Sequence, residues 1–128
     1  MLRVRRLPWL LGLVSLAACD GGLRVDREPE DPCTANLVTL RVEVVDARGA
    51  AVPEALVTAT NERTGRSITS ATSERGVTHA VNEDIGEGPV RLMATAGSKA
   101  SGTALVSWTC DACHCTPDPG EVRLQLNP

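Results

Sequence analysis

Leu37-Val38-Thr39-Leu40-Arg41-Val42-Glu43-Val44 is the most regularly patterned segment of this 128-residue chain. One face of the stretch is apolar at every second position: Val38, Leu40, Val42 and Val44. Threonine, arginine and glutamate occupy the other face. Because successive side chains of a strand point to opposite faces, this period predicts a β-strand with one buried side. Such a strand needs partners with a similar apolar face, and the sequence that follows supplies them.

Further short apolar or alternating segments follow, and none shows a helical period. They cover residues 55–60, 67–72, 77–81, 90–96, 103–108 and 121–126. Turn-forming residues separate them at Asp46–Gly49, Asn61–Gly65 and Ser73–Gly76. About seven short strands with regular turns predict an all-β protein, an antiparallel β-sandwich of two sheets of the immunoglobulin-like kind. With no Phe or Tyr in the chain, its core has to be aliphatic.

The first strand and its turn carry a resemblance to a known family. The pattern Val42-x-Val44-x-Asp46-x-x-Gly49-x-x-Val52-Pro53-x-Ala55-x-Val57 resembles the opening of carboxypeptidase regulatory-like domains. The resemblance covers residues 37–126. It implies a transthyretin-like β-sandwich, and it implies an accessory domain without catalytic residues. The chain departs from the family at Gly86–Val90, where the family's usual tyrosine is missing.

The amino-terminal segment is typical of an export signal. Three arginines precede Leu7–Ala18, an apolar run of twelve residues. A membrane-spanning helix needs about 20 residues, so the run predicts a secretory signal peptide over residues 1–18 instead. Leu16-Ala17-Ala18-Cys19 resembles the lipobox of bacterial lipoproteins, which implies lipidation of Cys19 and a membrane anchor. A plain signal peptide with a chance cysteine is the alternative.

Residues 19–32 form a predicted flexible, acidic linker between the lipidated cysteine and a domain at 33–128. The linker is rich in acids, glycine and proline, a composition that stays solvated. The leader holds three of the thirteen basic residues and none of the sixteen acidic ones. The mature chain therefore carries ten basic and sixteen acidic residues, a net charge of −6. This charge excludes nucleic acid as an expected partner, because such binding needs basic patches.

Four cysteines remain beyond the anchor: Cys33, Cys110, Cys113 and Cys115. An even number in an exported domain predicts disulfide bonds. Cys33 precedes the first strand and the other three precede the last, so one bridge should join these two regions. The pairing ranked first is Cys33–Cys113 with Cys110–Cys115. The pairing ranked second is Cys33–Cys115 with Cys110–Cys113, and a ring closed by Cys113–Cys115 comes last because it spans one residue.

Cys110-Asp111-Ala112-Cys113-His114 also matches the CxxCH pattern of covalent c-type haem attachment, with Met93 or His79 as the candidate sixth ligand. A small redox or haem protein is therefore the alternative function. Zinc held by the same cysteines and His114 is a further alternative. Against these stand the scarcity of aromatic residues for a haem pocket and an oxidising compartment. The expectation is that the protein needs no metal and no cofactor.

No catalytic constellation is present in the sequence, and the protein is not expected to be an enzyme. The two histidines, His79 and His114, lack a paired glutamate at zinc-peptidase spacing. There is no nucleophile elbow and no glycine-rich phosphate loop. The acidic loop Asn82–Asp84 lacks calcium-loop spacing and is expected to be a solvated turn. The predicted function is a lipid-anchored envelope protein whose sandwich binds an envelope protein or a glycan, or has a structural role.

Overall fold

The computed structural model describes Cys33 and residues 36–128. The predicted leader at 1–18, the lipidation site Cys19 and the linker at 19–32 lie outside the described residues. Within the described part the chain is a β-sandwich of two packed sheets, so the predicted all-β fold class is confirmed. No helix in that part is long and apolar enough to cross a membrane.

Nine strands build the two sheets. They are β1 Arg41–Val45, β2 Leu56–Asn61, β3 Ser67–Ala71, β4 Val77–Thr78, β5 Gly88–Ala96, β6 Lys99–Ala100, β7 Ala104–Cys110, β8 Cys115–Asp118 and β9 Glu121–Gln125. One sheet has the order β4-β1-β9. The other has the order β3-β2-β5-β7-β8, with the short β6 paired to β5. A single turn of 3₁₀ helix, Glu83–Ile85, joins β4 to β5.

One strand pair departs from the antiparallel pattern. β1 and β9 run parallel, with Val42 opposite Val122 and Val44 opposite Leu124. A hairpin turn can join only antiparallel neighbours, whereas these two strands are separated by the whole domain. The first strand is therefore held between β4 and the last strand of the chain.

The core lies between the sheets and is almost entirely aliphatic. The predicted inward faces are buried: Leu40, Val42 and Val44 near or in β1, Val57 and Ala59 in β2, and Val90, Leu92 and Ala94 in β5 are all fully shielded from solvent. Trp108 of β7 is the largest buried side chain in the described region. Burial of such side chains stabilises the fold by roughly 1.5–3 kcal/mol each. The alternating apolar residues of the strands thus form the surface through which the two sheets pack.

Two strands occupy segments that the sequence pattern predicts as turn and loop. β6 is only two residues long, and β8 contains Pro117, which interrupts any strand propensity. Pro117 pairs with Trp108 at the edge of the sheet, where a strand needs hydrogen bonds on one side only. Part of the predicted cysteine loop is therefore sheet, and the turn that remains is short.

Candidate functional site: the cysteine hairpin

The cysteine hairpin, residues 110–115, connects β7 to β8. Cys110 ends β7 and Cys115 begins β8, and the two residues lie directly opposite each other in the ladder. The turn is closed by the Asp111 carboxylate, whose Oδ1 accepts hydrogen bonds from the backbone N–H groups of Cys113 and His114, both at 2.8 Å. These two bonds, that from His114 first, hold the pKa of Asp111 below its ordinary value of 3.8. The carboxylate therefore remains an ionised acceptor at neutral pH and fixes the turn.

Two disulfide bonds converge on this hairpin. Cys33 is bonded to Cys113, with Cα atoms 5.1 Å apart and a sequence separation of 80. Cys110 is bonded to Cys115, with Cα atoms 3.8 Å apart. This is the pairing that the sequence analysis ranks first. The long bridge ties the entry of the chain into the domain to the turn between β7 and β8.

Glu83 joins three separate segments at the base of the hairpin. Its carboxylate accepts hydrogen bonds from the N–H of Val38 at 2.8 Å and from the N–H of Cys115 at 2.9 Å. The Nδ1 of His114 lies 2.9 Å from the same carboxylate. A carboxylate only accepts hydrogen bonds, so the imidazole tautomer in this contact carries its proton on Nδ1. One side chain thus connects the start of the first strand, the 3₁₀ turn and the hairpin.

The Glu83 carboxyl is well shielded and electrostatically stabilised. Its side chain is 9% exposed, against 22% for His114. The hydrogen bond from Val38, then that from Cys115 and then that from His114, hold the pKa of Glu83 below its ordinary value of 4.5. Each of these bonds is made to the charged form of the carboxyl, which is why all three favour ionisation. Glu83 therefore stays negatively charged, and its carboxylate holds two backbone N–H groups and the His114 ring in place.

The chemistry available to the hairpin is limited by the state of its sulfurs. All four cysteines of the described chain are in disulfides, so none presents a thiolate for zinc or a thiol for a haem thioether bond. Among Cys33 and residues 36–128, no three His, Cys, Asp or Glu side chains form a group able to hold a metal ion. In this state the hairpin is suited to cross-linking the domain and presenting a rigid turn.

The other residues considered as haem ligands lie elsewhere in the fold. His79 is exposed and follows β4, which is an edge strand of the three-stranded sheet. Met93 lies in the middle of β5, is 40% exposed and faces outward from the six-stranded sheet. His114, by contrast, is on the hairpin and contacts Glu83. The fold does not assemble these side chains around one pocket.

Sequence reasoning missed the role of Glu83. The segment Asn82–Asp84 is predicted as a solvated turn, and Asp84 is indeed exposed. Glu83, however, is drawn inward because Asn82 caps the 3₁₀ turn through its side chain, which accepts from Asp84 N–H. Its partners Val38 and Cys115 are 45 and 32 positions away in the chain. Patterns among neighbouring residues cannot predict contacts over such distances.

Comparison of the chain with models of known protein families finds no match, and comparison with curated proteins finds none either. Any role of the hairpin therefore has to follow from its own geometry and chemistry.

Proposed function

We propose that this chain is a lipoprotein of the bacterial cell envelope whose β-sandwich is a non-catalytic interaction or structural domain. The anchor is Cys19, residues 1–18 are the export signal, and residues 19–32 are the tether. The sandwich is proposed to be of the carboxypeptidase regulatory-like, transthyretin-like kind, on the motif between Val42 and Val57. Its partner class is an envelope protein or a glycan, and the membrane is contacted through lipid.

The observation that carries this proposal is the bridge between Cys33 and Cys113. Disulfides persist in oxidising compartments, and the bacterial envelope is one of them. The bridge also fixes the start of the domain to the hairpin, because Cys33 directly follows the proposed tether. A tether of residues 19–32 would span at most roughly 45–50 Å from the lipid to this point.

The alternative of a c-type haem protein loses support from the same bridges. Covalent haem attachment would need Cys110 and Cys113 as thiols, and each is bonded to a different cysteine. The visible spectrum of the purified protein separates the two proposals. A Soret band would favour haem and contradict the interaction domain.

The decisive experiment on the anchor is metabolic labelling with a fatty acid in cells that express the full chain. We expect label on the wild type and its loss in Cys19→Ala, because Cys19 is the thiol placed directly after the apolar run. Cys33→Ala is the matched control: it removes a neighbouring cysteine and should keep the label. Equal labelling of Cys19→Ala and the wild type would contradict the proposal. Crosslinking in intact cells, followed by identification of the attached molecule, then distinguishes a protein partner from a glycan.

A further inference from the structure

The two sheets have four edges, and three of them are protected. β8 contains Pro117, β4 has only two residues, and β9 alternates charged or amide side chains on its exposed face. Such features are the usual means by which native sheets avoid pairing with another chain. The fourth edge, β3, has none of them: Ser67-Ile68-Thr69-Ser70-Ala71 is five residues long, uncharged and free of proline. No described strand pairs with its outer side, and its contact with the other sheet includes Ser70 Oγ, which lies 2.9 Å from Thr78 Oγ1 of β4.

The outward backbone groups of β3 can be assigned from its pairing with β2. At one end the N–H of Asn61 donates to the carbonyl of Arg66, and at the other the N–H of Thr72 donates to the carbonyl of Ala55. Hydrogen-bonded residues alternate along an antiparallel strand. Positions 66, 68, 70 and 72 therefore face β2, and the N–H and carbonyl groups of Ser67, Thr69 and Ala71 point away from it.

We propose that β3 pairs with β3 of a second copy of this chain, antiparallel and about a two-fold axis at Thr69. In this register Thr69 lies opposite Thr69 of the second copy, and Ser67 lies opposite Ala71. All three outward-facing residues then form hydrogen-bonded pairs, which gives about six hydrogen bonds. A shift by two residues leaves one outward residue of each strand unpaired, and a shift by one sets outward groups against inward ones. The two-fold register is the one that satisfies the whole edge, and it closes the assembly as a dimer.

The charges that flank β3 agree with antiparallel pairing. Arg66 precedes the strand and Glu74 lies in the turn that follows it; both are exposed, and Arg66 also donates to the carbonyl of Asp84 at 3.0 Å. In the two-fold register Arg66 lies opposite Thr72 of the second copy, two positions from Glu74, so unlike charges lie near each other at both ends. Arg75 does not disturb this arrangement, because it lies with Arg41 and His79 beside the three-stranded sheet.

The side chains of β3 favour a second copy over a foreign peptide. Recognition of an added strand takes its specificity from pockets for alternate side chains. The outward-facing side chains of β3 are those of Ser67, Thr69 and Ala71, which are small and offer no pocket. The choice of partner therefore depends on the backbone register and on the charges at the ends of the strand. A second copy of β3 satisfies both. Since a single strand pair buries little area, the dimer is expected to be of the transient class and is best trapped in place.

The test uses the full chain with a photo-crosslinking amino acid in intact cells. Placed at Thr69, it should give a product of twice the chain mass. Placed at Leu105, it should not: Leu105 is 62% exposed on the same sheet, but it lies on β7, three strands from β3. Equal yields at the two positions, or products from Thr69 that contain only another protein or only a single chain, would overturn the proposal.

A second set of variants tests the register with the crosslinker moved to Ala71. In this background Thr69→Lys should reduce the dimer product roughly fivefold or more, because it sets two like charges directly opposite at the axis. Thr69→Val keeps the strand propensity and should keep the product. Thr69 is exposed, so the melting temperatures of these variants should match the wild type. An undiminished product in Thr69→Lys would contradict the two-fold pairing.

Discussion

At the scale of single residues, Glu83 is the side chain that connects the 3₁₀ turn to the start of the first strand and to the hairpin. It reaches the backbone of Val38 and Cys115 and the ring of His114 from a single turn of 3₁₀ helix. Two of these partners are backbone N–H groups that, in a folded and shielded site, need an acceptor. The Glu83 carboxylate is therefore needed to hold the hairpin against the start of the first strand.

Asn61 has a comparable position at the other turn of the sheet and is fully buried. Its Nδ2 donates to the carbonyls of Ile85 and Glu87 at 2.9 and 3.1 Å, while its Oδ1 accepts from the N–H of Arg63 at 2.8 Å. The backbone passes close to it at Gly88, where a Cβ atom would lie 3.2 Å from Oδ1 and φ is +131°. Glycine is therefore favoured at position 88 both by the positive φ and by the close approach of Asn61.

We expect Glu83→Gln to lower the melting temperature and to flatten its dependence on acid pH. The folded-state pKa of Glu83 is depressed, so the carboxylate stabilises the fold above its unfolded pKa, near 4.5. That contribution is lost as the pH falls through the lower folded pKa. Thermal melts of the wild type and the variant between neutral pH and about pH 3 measure the difference. The two curves should converge at the acid end.

Asp84→Asn is the matched control for this experiment. Asp84 is the next residue in the same turn and is exposed, and its carboxylate accepts no hydrogen bond within the described residues. It should change neither the melting temperature nor the acid profile appreciably. A Glu83→Gln protein that melts like Asp84→Asn at neutral pH would show that the negative charge of Glu83 contributes nothing to stability.

At the scale of elements, the hairpin shows which parts of the site follow from the sequence and which do not. A bridge from Cys33 to the hairpin follows from strand order, because both are expected to precede neighbouring strands, and β1 and β9 do pair; the choice of Cys113 over Cys115 does not follow from it. The strand β8 does not follow, since Pro117 suppresses the pattern by which strands are recognised. Nor does Glu83, whose partners are distant in the chain.

The two disulfides should contribute unequally to stability. We expect Cys33→Ser/Cys113→Ser to lower the free energy of unfolding by about 4.5 kcal/mol, because the bridge closes a loop with a separation of 80 residues. Cys110→Ser/Cys115→Ser should cost about 2 kcal/mol, since its separation is 5. Denaturant unfolding of the purified variants gives both values. Removing both partners of a bridge leaves no unpaired thiol among Cys33 and residues 36–128, and a larger loss for the short bridge would refute the argument from loop length.

At the scale of the whole molecule, the period of two predicts the faces of the strands but not their order. The buried residues of β1, β2 and β5 are those expected from alternation. The parallel contact of β1 with β9 has no local signature, because it joins the two ends of the domain and depends on how everything between them packs. The short, polar segment 67–72 does have the character of an edge strand, and β3 is one, but that β8 and β9 are the edges at the other ends becomes visible only once the sheets are assembled.

The bridge between Cys33 and Cys113 also determines how the domain responds to mechanical load. A pull applied between the segment before Cys33 and Pro128 passes through the bridge into the hairpin, so residues 34–112 carry no tension. Only residues 114–128 lie on the path of the load, a length of roughly 50 Å when extended. In a single-molecule pulling experiment the oxidised protein should lengthen by no more than this. After reduction, residues 34–128 should extend, to roughly 330 Å. Release of the longer length before reduction would show that the bridge does not shield the sandwich.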